Sequence, residues 1–433
     1  MRPDGSPTRR GRDEVLCHRG GEPVTVGAFL DQASALAARL PEAGHAVNLC
    51  ADRYLALLGF IAAVLRGHPT LLGGGPGAAP AFLDMAARDY PGAYAMLDHD
   101  RPGTPMPVQR VDRPVGASVE WPAIPPDRLA AIAFTSGSTG RPTAHLKPWG
   151  ALVAHAEAAA ERFGLRDGPV TSLVATVPPQ HMYGFETTMM LPLQAAVAIH
   201  SGATFFPSDV REALAGVPEP RLLVTTPLHL RALLAEGRPM PRLAAVISAT
   251  APLPRETAEA VERDWGTAML EIYGASEAGS MASRRILRDE RWLAYPGIAL
   301  RPGVATVPGI GEVALSDALE FDADGRFRLM GRLSDLVKLG GKRASLAELN
   351  RVLAGVQGVL DGVFVAPEDL DSNPTSRLTA YVVAPGRTAD DILAALRAKV
   401  DPAFLPRRMI LVEALPRDGL GKLPRQALAA LGS

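Results

Sequence analysis

A segment rich in hydroxyl and glycine residues directly follows the apolar run of residues 130–134, and it reads Thr135, Ser136, Gly137, Ser138, Thr139 and Gly140. Glycine permits positive φ and a close backbone approach, and backbone N–H and side-chain O–H groups donate to phosphate oxygens. The Walker-type phosphate loop ends in Gly-Lys-Ser/Thr, an ending that this segment lacks. The segment therefore predicts a phosphate-binding loop of another type, with a solvent-exposed turn as the alternative.

A second group of functional side chains follows another apolar run and comprises Tyr273, Gly274, Ser276 and Glu277. An aromatic ring can stack on a base, a glycine can bend the chain, and a hydroxyl can contact a phosphate. A carboxylate can hold Mg²⁺, which prefers oxygen ligands and usually bridges one or two carboxylates to substrate phosphates. In isolation, an ordinary turn is the better interpretation of this segment.

Charged residues beside glycines form two further groups nearer the C-terminus. Asp317 could accept hydrogen bonds from both hydroxyls of a ribose, and Arg332 could donate to a ribose or a phosphate. Lys422 stands in a glycine-flanked segment, where it could neutralise the charge that builds between a carboxylate and an α-phosphate. A solvated hairpin or loop is the alternative for each group taken alone.

In order, spacing and residue types, these motifs together resemble those of the adenylate-forming superfamily, which includes acyl-CoA synthetases, peptide-synthetase adenylation domains and luciferases. The resemblance covers at least residues 131–428. It implies that ATP is bound by Thr135, Ser136, Gly137, Ser138, Thr139, Gly140, Ala249, Tyr273, Gly274, Ser276, Asp317 and Arg332. It also implies Mg²⁺ at Glu277 and catalytic roles for Lys422, Arg332 and His181, the last beside the acyl carboxylate. A core histidine is the alternative for His181.

The resemblance further implies two half-reactions, adenylation of a carboxylic acid with release of pyrophosphate and then attack of a thiol on the acyl carbon. Between them a small domain would rotate about a hinge at Asp335 and bring Gly340 and Gly341 beside the incoming thiol. One departure is Thr143, which stands where the family usually has a loop lysine, with Lys147 four residues later. The segment 249–252 also replaces a stretch that commonly contains glycine.

The acyl pocket is expected to draw on residues 183–187, 225–227 and 278–280, where small and apolar residues dominate. With no obvious charge to grip an amino group, an uncharged aryl or acyl acid is favoured. The opening region, including residues 48–54, resembles compact ligases of aryl-polyene and xanthomonadin-type pigment clusters, which load an acyl carrier protein. No carrier domain follows residue 433, so the acceptor is expected to be a separate molecule.

Two other functions stay open at this point. One is an aryl- or acyl-CoA synthetase that uses coenzyme A as the thiol acceptor. The other is a nucleotide-binding scaffold that has lost catalysis, against which the presence of Glu277, Asp317, Arg332 and Lys422 argues.

Short apolar runs alternate with helix-type apolar spacing from residue 130 onward, which predicts an α/β fold with a largely parallel sheet. The predicted strands are 130–134, 173–177, 196–200, 222–226 and 244–248. The predicted helices are 149–163, 209–215, 228–236 and 255–265. The alternation is weaker before residue 100, and the proline-rich residues 98–127 are predicted to be an irregular connection.

The pattern changes after Arg332, where residues 333–343 are polar and loop-like. Capping-box sequences at 345–348 and 388–391 predict helices through Leu353 and Val400, and residues 363–366 and 378–383 look like strands. We therefore predict a large α/β domain of residues 1–332, built on mostly parallel sheets. A hinge at 333–335 and a small mobile α+β domain of residues 336–433 complete the prediction.

Chain length, net charge, cysteine spacing and the length of apolar runs argue against several other classes of function. A chain of 433 residues suits two or more domains, and a net charge of −1 does not favour nucleic acid or anionic membranes as partners. Its two cysteines, Cys17 and Cys50, lack metal-like or disulfide-like spacing. The longest apolar run, residues 55–65, is shorter than the ~20 residues that span a bilayer. Because the N-terminus also lacks the apolar core of a signal peptide, a cytoplasmic protein is expected.

Overall fold

The computed structural model describes residues 8–73, 75–115, 123–135, 142–332, 336–339, 342–367, 376–417 and 423. The chain divides into two compact units, residues 1–300 with 305–313 and residues 301–304 with 314–433. This division precedes the predicted hinge at 333–335, which lies outside the described residues. A pivot there stays a prediction.

The first unit alternates strands and helices along the chain. Its strands are β1 (Val15–Arg19), β2 (Glu22–Thr25), β3 (His45–Asn48), β4 (Thr70–Leu72), β5 (Ala93–Leu97), β6 (Val108–Arg110), β7 (Leu129–Thr135), β8 (Thr143–Pro148), β9 (Thr171–Ala175), β10 (Val197–His200), β11 (Arg221–Thr225), β12 (Ala245–Ser248), β13 (Ala268–Ala275), β14 (Gly279–Arg284) and β15 (Leu293–Ala294). Its helices are α1 (Val26–Ala37), α2 (Arg53–Arg66), α3 (Pro80–Asp89), α4 (Trp149–Arg162), α5 (Met182–Phe185), α6 (Leu191–Gln194), α7 (Pro207–Ala215), α8 (Pro227–Ala235) and α9 (Arg255–Trp265).

Two mostly parallel sheets form the framework of this unit. The nine-stranded sheet has the order β15-β14-β13-β12-β11-β9-β10-β1-β2, with β2, β14 and β15 antiparallel to their neighbours. The six-stranded sheet has the order β6-β5-β3-β4-β7-β8, and only its edge strand β8 is antiparallel. The predicted α/β class is confirmed, because parallel strands joined by helices are its defining feature.

Apolar sequence explains where the core lies. Helix α2 is apolar all round, and its residues Arg53 to Val64 are all buried, as expected for a helix that is covered on every side. Asp52 caps its N-terminus and Gly67 ends it with φ of 85°. Among the described residues, no helix is long and apolar enough to cross a membrane.

The strands and helices predicted after residue 130 are all present, with ends shifted by no more than a few residues. They correspond to β7 and β9–β12 and to α4 and α7–α9. One prediction was wrong in detail, because the proline-rich connection contains the short strand β6, whose Val108 pairs with Ala95 of β5. Backbone pairing at a sheet edge needs no apolar pattern, so this strand could not be predicted from hydropathy.

A three-stranded sheet follows in the chain, with strands β16 (Ala299–Arg301), β17 (Val304–Val307) and β18 (Gly311–Ala314). The second unit contains β19 (Asp317–Phe321), β20 (Phe327–Arg332), β21 (Leu336–Leu339), β22 (Lys342–Ser345), α10 (Leu346–Ala354), β23 (Asp361–Val365), β24 (Thr379–Val383), α11 (Ala389–Arg397) and β25 (Arg408–Leu411). Its α+β composition agrees with the prediction, and a core centred on Leu353, Phe364 and Leu396 joins both helices to the strands.

Two expectations for this unit need correction. The loop-like residues 333–343 include most of a hairpin, in which β21 pairs with β22 in antiparallel register. The capping box at 388–391 forms, but Ser345 makes no capping hydrogen bond to α10. Its hydroxyl is instead directed at the backbone of Gly331, where an added Cβ would lie 2.1 Å from Oγ.

Candidate active site

The predicted site residues of the first unit follow the carboxyl ends of parallel strands, the edge at which open α/β sheets bind ligands. Thr135 ends β7, Ala249 directly follows β12, and His181 lies in the connection after β9. Tyr273 lies near the end of β13, and its turn continues to Glu277. Because β7 belongs to one sheet and the other strands to the second, the site requires a link between the two sheets.

The phosphate-loop segment is closed by a strand pair. Thr135 of β7 and Thr143 of β8 are cross-strand partners, and they flank residues 136–141, which lie outside the described residues. The predicted ligands Ser136, Gly137, Ser138, Thr139 and Gly140 therefore stay predictions. Thr135 Oγ1 lies 2.8 Å from His145 Nε2, which fixes this hydroxyl at the mouth of the loop.

Lys147 provides the link between the two sheets. Although it lies on the edge strand β8, it is only 1% exposed, and its Nζ donates to the backbone carbonyl of Glu277 at 2.7 Å. Burial lowers the pKa of Lys147 to about 8, against the attraction of Glu186 and Glu277, which raises it. The sequence identified this lysine only as a neighbour of Thr143. Its buried hydrogen bond between the two sheets was not predicted.

The turn after β13 is held close to the next strand. A bulge falls between Tyr273 and Gly274, and a Cβ on Gly274 would lie 2.6 Å from the carbonyl oxygen of Gly279. Only glycine permits this approach without a backbone shift. The ring of Tyr273 is buried and contacts that of Trp292, with centroids 5.8 Å apart. The side chains of Ser276 and Glu277 are both partly exposed in the turn.

Next to Ala249 the backbone adopts a conformation that usually belongs to glycine. Thr250 has φ of 78°, the only positive φ of a non-glycine residue in the described part of the chain. The left-handed region costs a β-branched residue free energy, and such outliers persist where surrounding structure enforces them. The segment that departs from the family pattern in sequence thus keeps a glycine-like turn in its backbone.

Buried residues near the N-terminus position the segment that leads to His181. Arg53 donates from Nη1 and Nη2 to the carbonyls of Val177 and Ala175, each at 2.8 Å. Gln180 donates to the carbonyl of Cys50, also at 2.8 Å. His181 itself is half-buried and flanks α5 in an extended conformation. Residues 48–54, for which the sequence suggested no mechanism, therefore have a structural role at the site.

A buried carboxylate corrects the expectation of a pocket without charge. Glu186 begins a π-helical stretch, Glu186–Met190, between α5 and α6, a distortion that is frequent at functional sites. Its side chain is buried and accepts from the backbone N–H of Ser280 at 3.0 Å and from the Ser280 hydroxyl. The lone acidic residue in an otherwise uncharged run was a visible signal that the sequence interpretation overlooked.

The second unit holds two further predicted nucleotide ligands. In the hairpin of β19 and β20, Asp317 is the cross-strand partner of Arg332, so the chain reversal brings together two residues far apart in sequence. Lys422, Asp335, Gly340 and Gly341 lie outside the described residues, so their roles stay predictions.

The fit of Mg²⁺ rests on Glu277 alone. Among the described residues, no group of three His, Cys, Asp or Glu side chains could hold a metal ion. A single partly exposed carboxylate nevertheless suits Mg²⁺, which keeps several waters and is bound together with substrate phosphates rather than in a protein cage.

A family model described as AMP-binding enzyme matches residues 78–306, just over half of the chain. A 4-coumarate–CoA ligase from Rhodobacter capsulatus is 29% identical over 297 residues, which cover 67% of this chain and 74% of that protein.

Solved structures of low identity share the fold. The o-succinylbenzoate-CoA synthetase MenE from Bacillus subtilis, in complex with an acyl-adenylate, has a TM-score of 0.82 at 18% identity and covers 96% of this chain and 95% of its own. ATP-bound MatB from Rhodopseudomonas palustris has a TM-score of 0.79 at 20% identity, with coverage of 97% and 96%. At these identities the likeness establishes the fold alone.

Proposed function

Because this chain belongs to the AMP-binding enzyme family and is an adenylate-forming ligase, we propose that it activates an aromatic carboxylic acid and passes it to a phosphopantetheine thiol. In the first half-reaction, an oxygen of the carboxylate attacks the α-phosphorus of ATP, and pyrophosphate leaves. In the second, the thiol sulfur attacks the acyl carbon, AMP leaves with the bonding pair, and the thiol proton is released.

The observation that carries this proposal is the hydrogen bond from Lys147 to the carbonyl of Glu277. It ties the turn that presents Ser276 and Glu277 to the hairpin that flanks the predicted phosphate loop. Phosphoryl chemistry depends mainly on positioning and on charge neutralisation, so a fixed distance between these two segments is what the first half-reaction needs.

Each site residue has a proposed role that follows from the chemistry of its side chain. Thr135 and the loop after it would donate to phosphate oxygens, and Glu277 would hold Mg²⁺, which supplies charge neutralisation at the phosphates. Lys422 would neutralise the charge between the carboxylate and the α-phosphate. His181 would lie beside the acyl carboxylate, at the end of a segment fixed by Arg53.

Two phosphopantetheine acceptors fit the second half-reaction. The resemblance of residues 48–54 to carrier-loading ligases favours a carrier protein as the thiol acceptor. Similarity to the 4-coumarate–CoA ligase of Rhodobacter capsulatus favours coenzyme A. Both present the same thiol arm, so the difference lies in what surrounds that arm.

The acceptor is tested by incubating the protein with ATP, Mg²⁺, an aromatic acid and either coenzyme A or a phosphopantetheinylated carrier protein. Mass spectrometry then detects the acyl thioester, and the carrier protein without its phosphopantetheine arm is the matched control. Acylation of the carrier alone supports the carrier-loading proposal, and acyl-CoA alone supports the second candidate. If the protein forms acyl-AMP but acylates neither coenzyme A nor the carrier protein, the proposed second half-reaction is refuted.

A further inference from the structure

Three side chains at the edge of the nine-stranded sheet connect two segments that are predicted to bind the nucleotide. The segments are residues 249–252, after β12, and Tyr273, near the end of β13. The connecting side chains are those of Glu271 on β13, Arg284 on β14 and Trp292, which directly precedes β15. None of the three was predicted from the sequence, and their contacts form a continuous chain.

Glu271 is the member of this chain that reaches residues 249–252. It is 3% exposed, and its two carboxylate oxygens have different partners. Oε1 accepts from the backbone N–H of Leu253 at 3.3 Å, and Oε2 accepts from Arg284 Nε at 2.6 Å. Leu253 directly follows the turn in which Thr250 has φ of 78°, so the carboxylate holds one end of that strained turn.

Arg284 is held on three sides. Besides the Glu271 carboxylate, it contacts the backbone carbonyl of Glu290, to which its Nη1 donates at 2.7 Å. Its guanidinium carbon lies 4.4 Å from the centroid of the Trp292 ring, within the range of a cation–π contact, for which tryptophan is the best partner. Glu271 and Arg284 are also cross-strand partners, so the sheet fixes the distance between them.

Trp292 extends the chain to the ring that is predicted to stack on the base. Its side chain is buried, and its ring centroid lies 5.8 Å from that of Tyr273, with an angle of 57° between the two planes. Because aromatic pairs have preferred geometries, an indole that is fixed in place limits the orientations open to the Tyr273 ring. A displacement of Arg284 would therefore affect both nucleotide-binding segments.

We propose that Arg284 is a positioning residue for the adenine base of ATP, acting through Glu271 on one side and Trp292 on the other. Its guanidinium fixes the backbone of residues 249–252 relative to the Tyr273 ring, the two groups predicted to contact the nucleotide. A ligand that meets preset surfaces orders less of the protein when it binds, which increases affinity. This inference rests on the proposed function and identifies residues that set its nucleotide affinity.

The three contacts of residue 284 require an arginine. A guanidinium is planar, so its edge donates to the carboxylate and the carbonyl while its face covers the indole. A lysine ammonium is a compact charge that can pair with the Glu271 carboxylate but cannot make all three contacts at once. Arg284→Lys therefore separates the charge from the geometry.

Nucleotide binding, measured by calorimetry in the presence of Mg²⁺, tests the inference on the full chain. Arg284→Met is expected to raise Kd for ATP about tenfold and to change Kd for pyrophosphate, which has no base, by less than about twofold. Arg284→Lys should weaken ATP binding in the same way. Arg88→Met removes an exposed arginine that pairs with Asp89, and as the matched control it should change neither Kd.

Two further variants distinguish positioning from a loss of folding. Arg284→Met alone leaves the buried Glu271 carboxylate without its cation, which destabilises the protein. The double variant Glu271→Gln with Arg284→Met should melt closer to the wild type and still bind ATP weakly, because the indole lacks its guanidinium. Trp292→Leu keeps the ion pair and should also raise Kd for ATP. In pyrophosphate exchange, these variants should show a raised KM for ATP and an unchanged KM for the acid.

The outcomes separate this inference from the proposed function. If the wild-type protein binds ATP but no acid supports exchange, the proposed function fails, and the positioning role is decided by the binding data. Wild-type affinity for ATP in Arg284→Met or Trp292→Leu overturns the positioning role, as does an equal loss of affinity for ATP and pyrophosphate. A double variant that regains both the melting temperature and the ATP affinity of the wild type overturns it too, because the defect of Arg284→Met was then one of folding.

Discussion

Replacing Lys147 with methionine removes a buried charge while keeping most of the side chain's volume. The pKa of Lys147 is lowered to about 8 from 10.5 by burial. At one pKa unit per 1.36 kcal/mol, this shift means that the fold disfavours the protonated amine by about 3 kcal/mol. The hydrogen bond to Glu277 and the attraction of Glu186 already offset part of that cost.

The sign of the pH dependence follows from the lowered pKa. Between the folded and the unfolded pKa, the unfolded chain binds a proton that the folded chain does not. Raising the pH from about 7.5 to about 10 should therefore stabilise the wild-type protein relative to Lys147→Met by about 2 kcal/mol. Because other groups titrate equally in both proteins, the difference isolates Lys147.

The assay is denaturant unfolding of both proteins at a series of pH values, with Lys399→Met as the control for an exposed lysine. The free-energy difference between wild type and Lys147→Met should rise with pH, and Lys399→Met shows what the loss of an exposed lysine does in the same titration. A difference for Lys147→Met that is flat or falls over this range would refute the lowered pKa of Lys147 and with it the burial of its amine. Exchange activity should also fall roughly ten- to a hundredfold, because the Glu277 turn loses its tether.

Three further substitutions have defined outcomes. Lys422→Ala should abolish adenylation while ATP still binds, which calorimetry and pyrophosphate exchange check together, and unchanged exchange would reject its catalytic role. Arg53→Met should lower the free energy of unfolding by about 2 kcal/mol, because the buried carbonyl of Val177 loses the Arg53 donor while that of Ala175 retains the Thr204 hydroxyl, and a loss under 1 kcal/mol in denaturant titration would contradict this. Gly274→Ala should cost about 2 kcal/mol, because its Cβ would meet backbone atoms at 2.6 and 2.9 Å. Gly77→Ala, where nothing lies within 4 Å, is the control and should be near neutral in the same titration.

The fold could be predicted where burial follows hydropathy. The strands after residue 130 are apolar because both faces of a parallel sheet are covered, and their positions were confirmed. Strand β8 reverses this rule, since Leu146 is 58% exposed while Lys147 is 1% exposed. Lys147 and His145 pair with Ala131 and Ala133, whose small side chains leave space for long polar ones. Hydropathy alone predicts the opposite orientation.

Within the candidate site, the local backbone was predictable where a motif is local, and the contacts between distant segments were not. The turn of Tyr273 to Glu277 and the ends of the strands follow from neighbouring residues. The support that Arg53 gives to Val177 joins residues 124 positions apart, and no local pattern signals it. Glu186 was visible as an isolated acid, but its pairing with Ser280 across 94 residues required the structure.

ATP–pyrophosphate exchange directly measures the proposed formation of acyl-adenylates from aromatic acids. Purified protein is incubated with ATP, Mg²⁺ and labelled pyrophosphate, with and without each aromatic acid. Label is expected in ATP only when a suitable acid is present, and it should be lost in Lys422→Ala. Folded, ATP-binding protein that shows no acid-dependent exchange with any aromatic, fatty or amino acid would contradict the proposal and favour a nucleotide-binding scaffold.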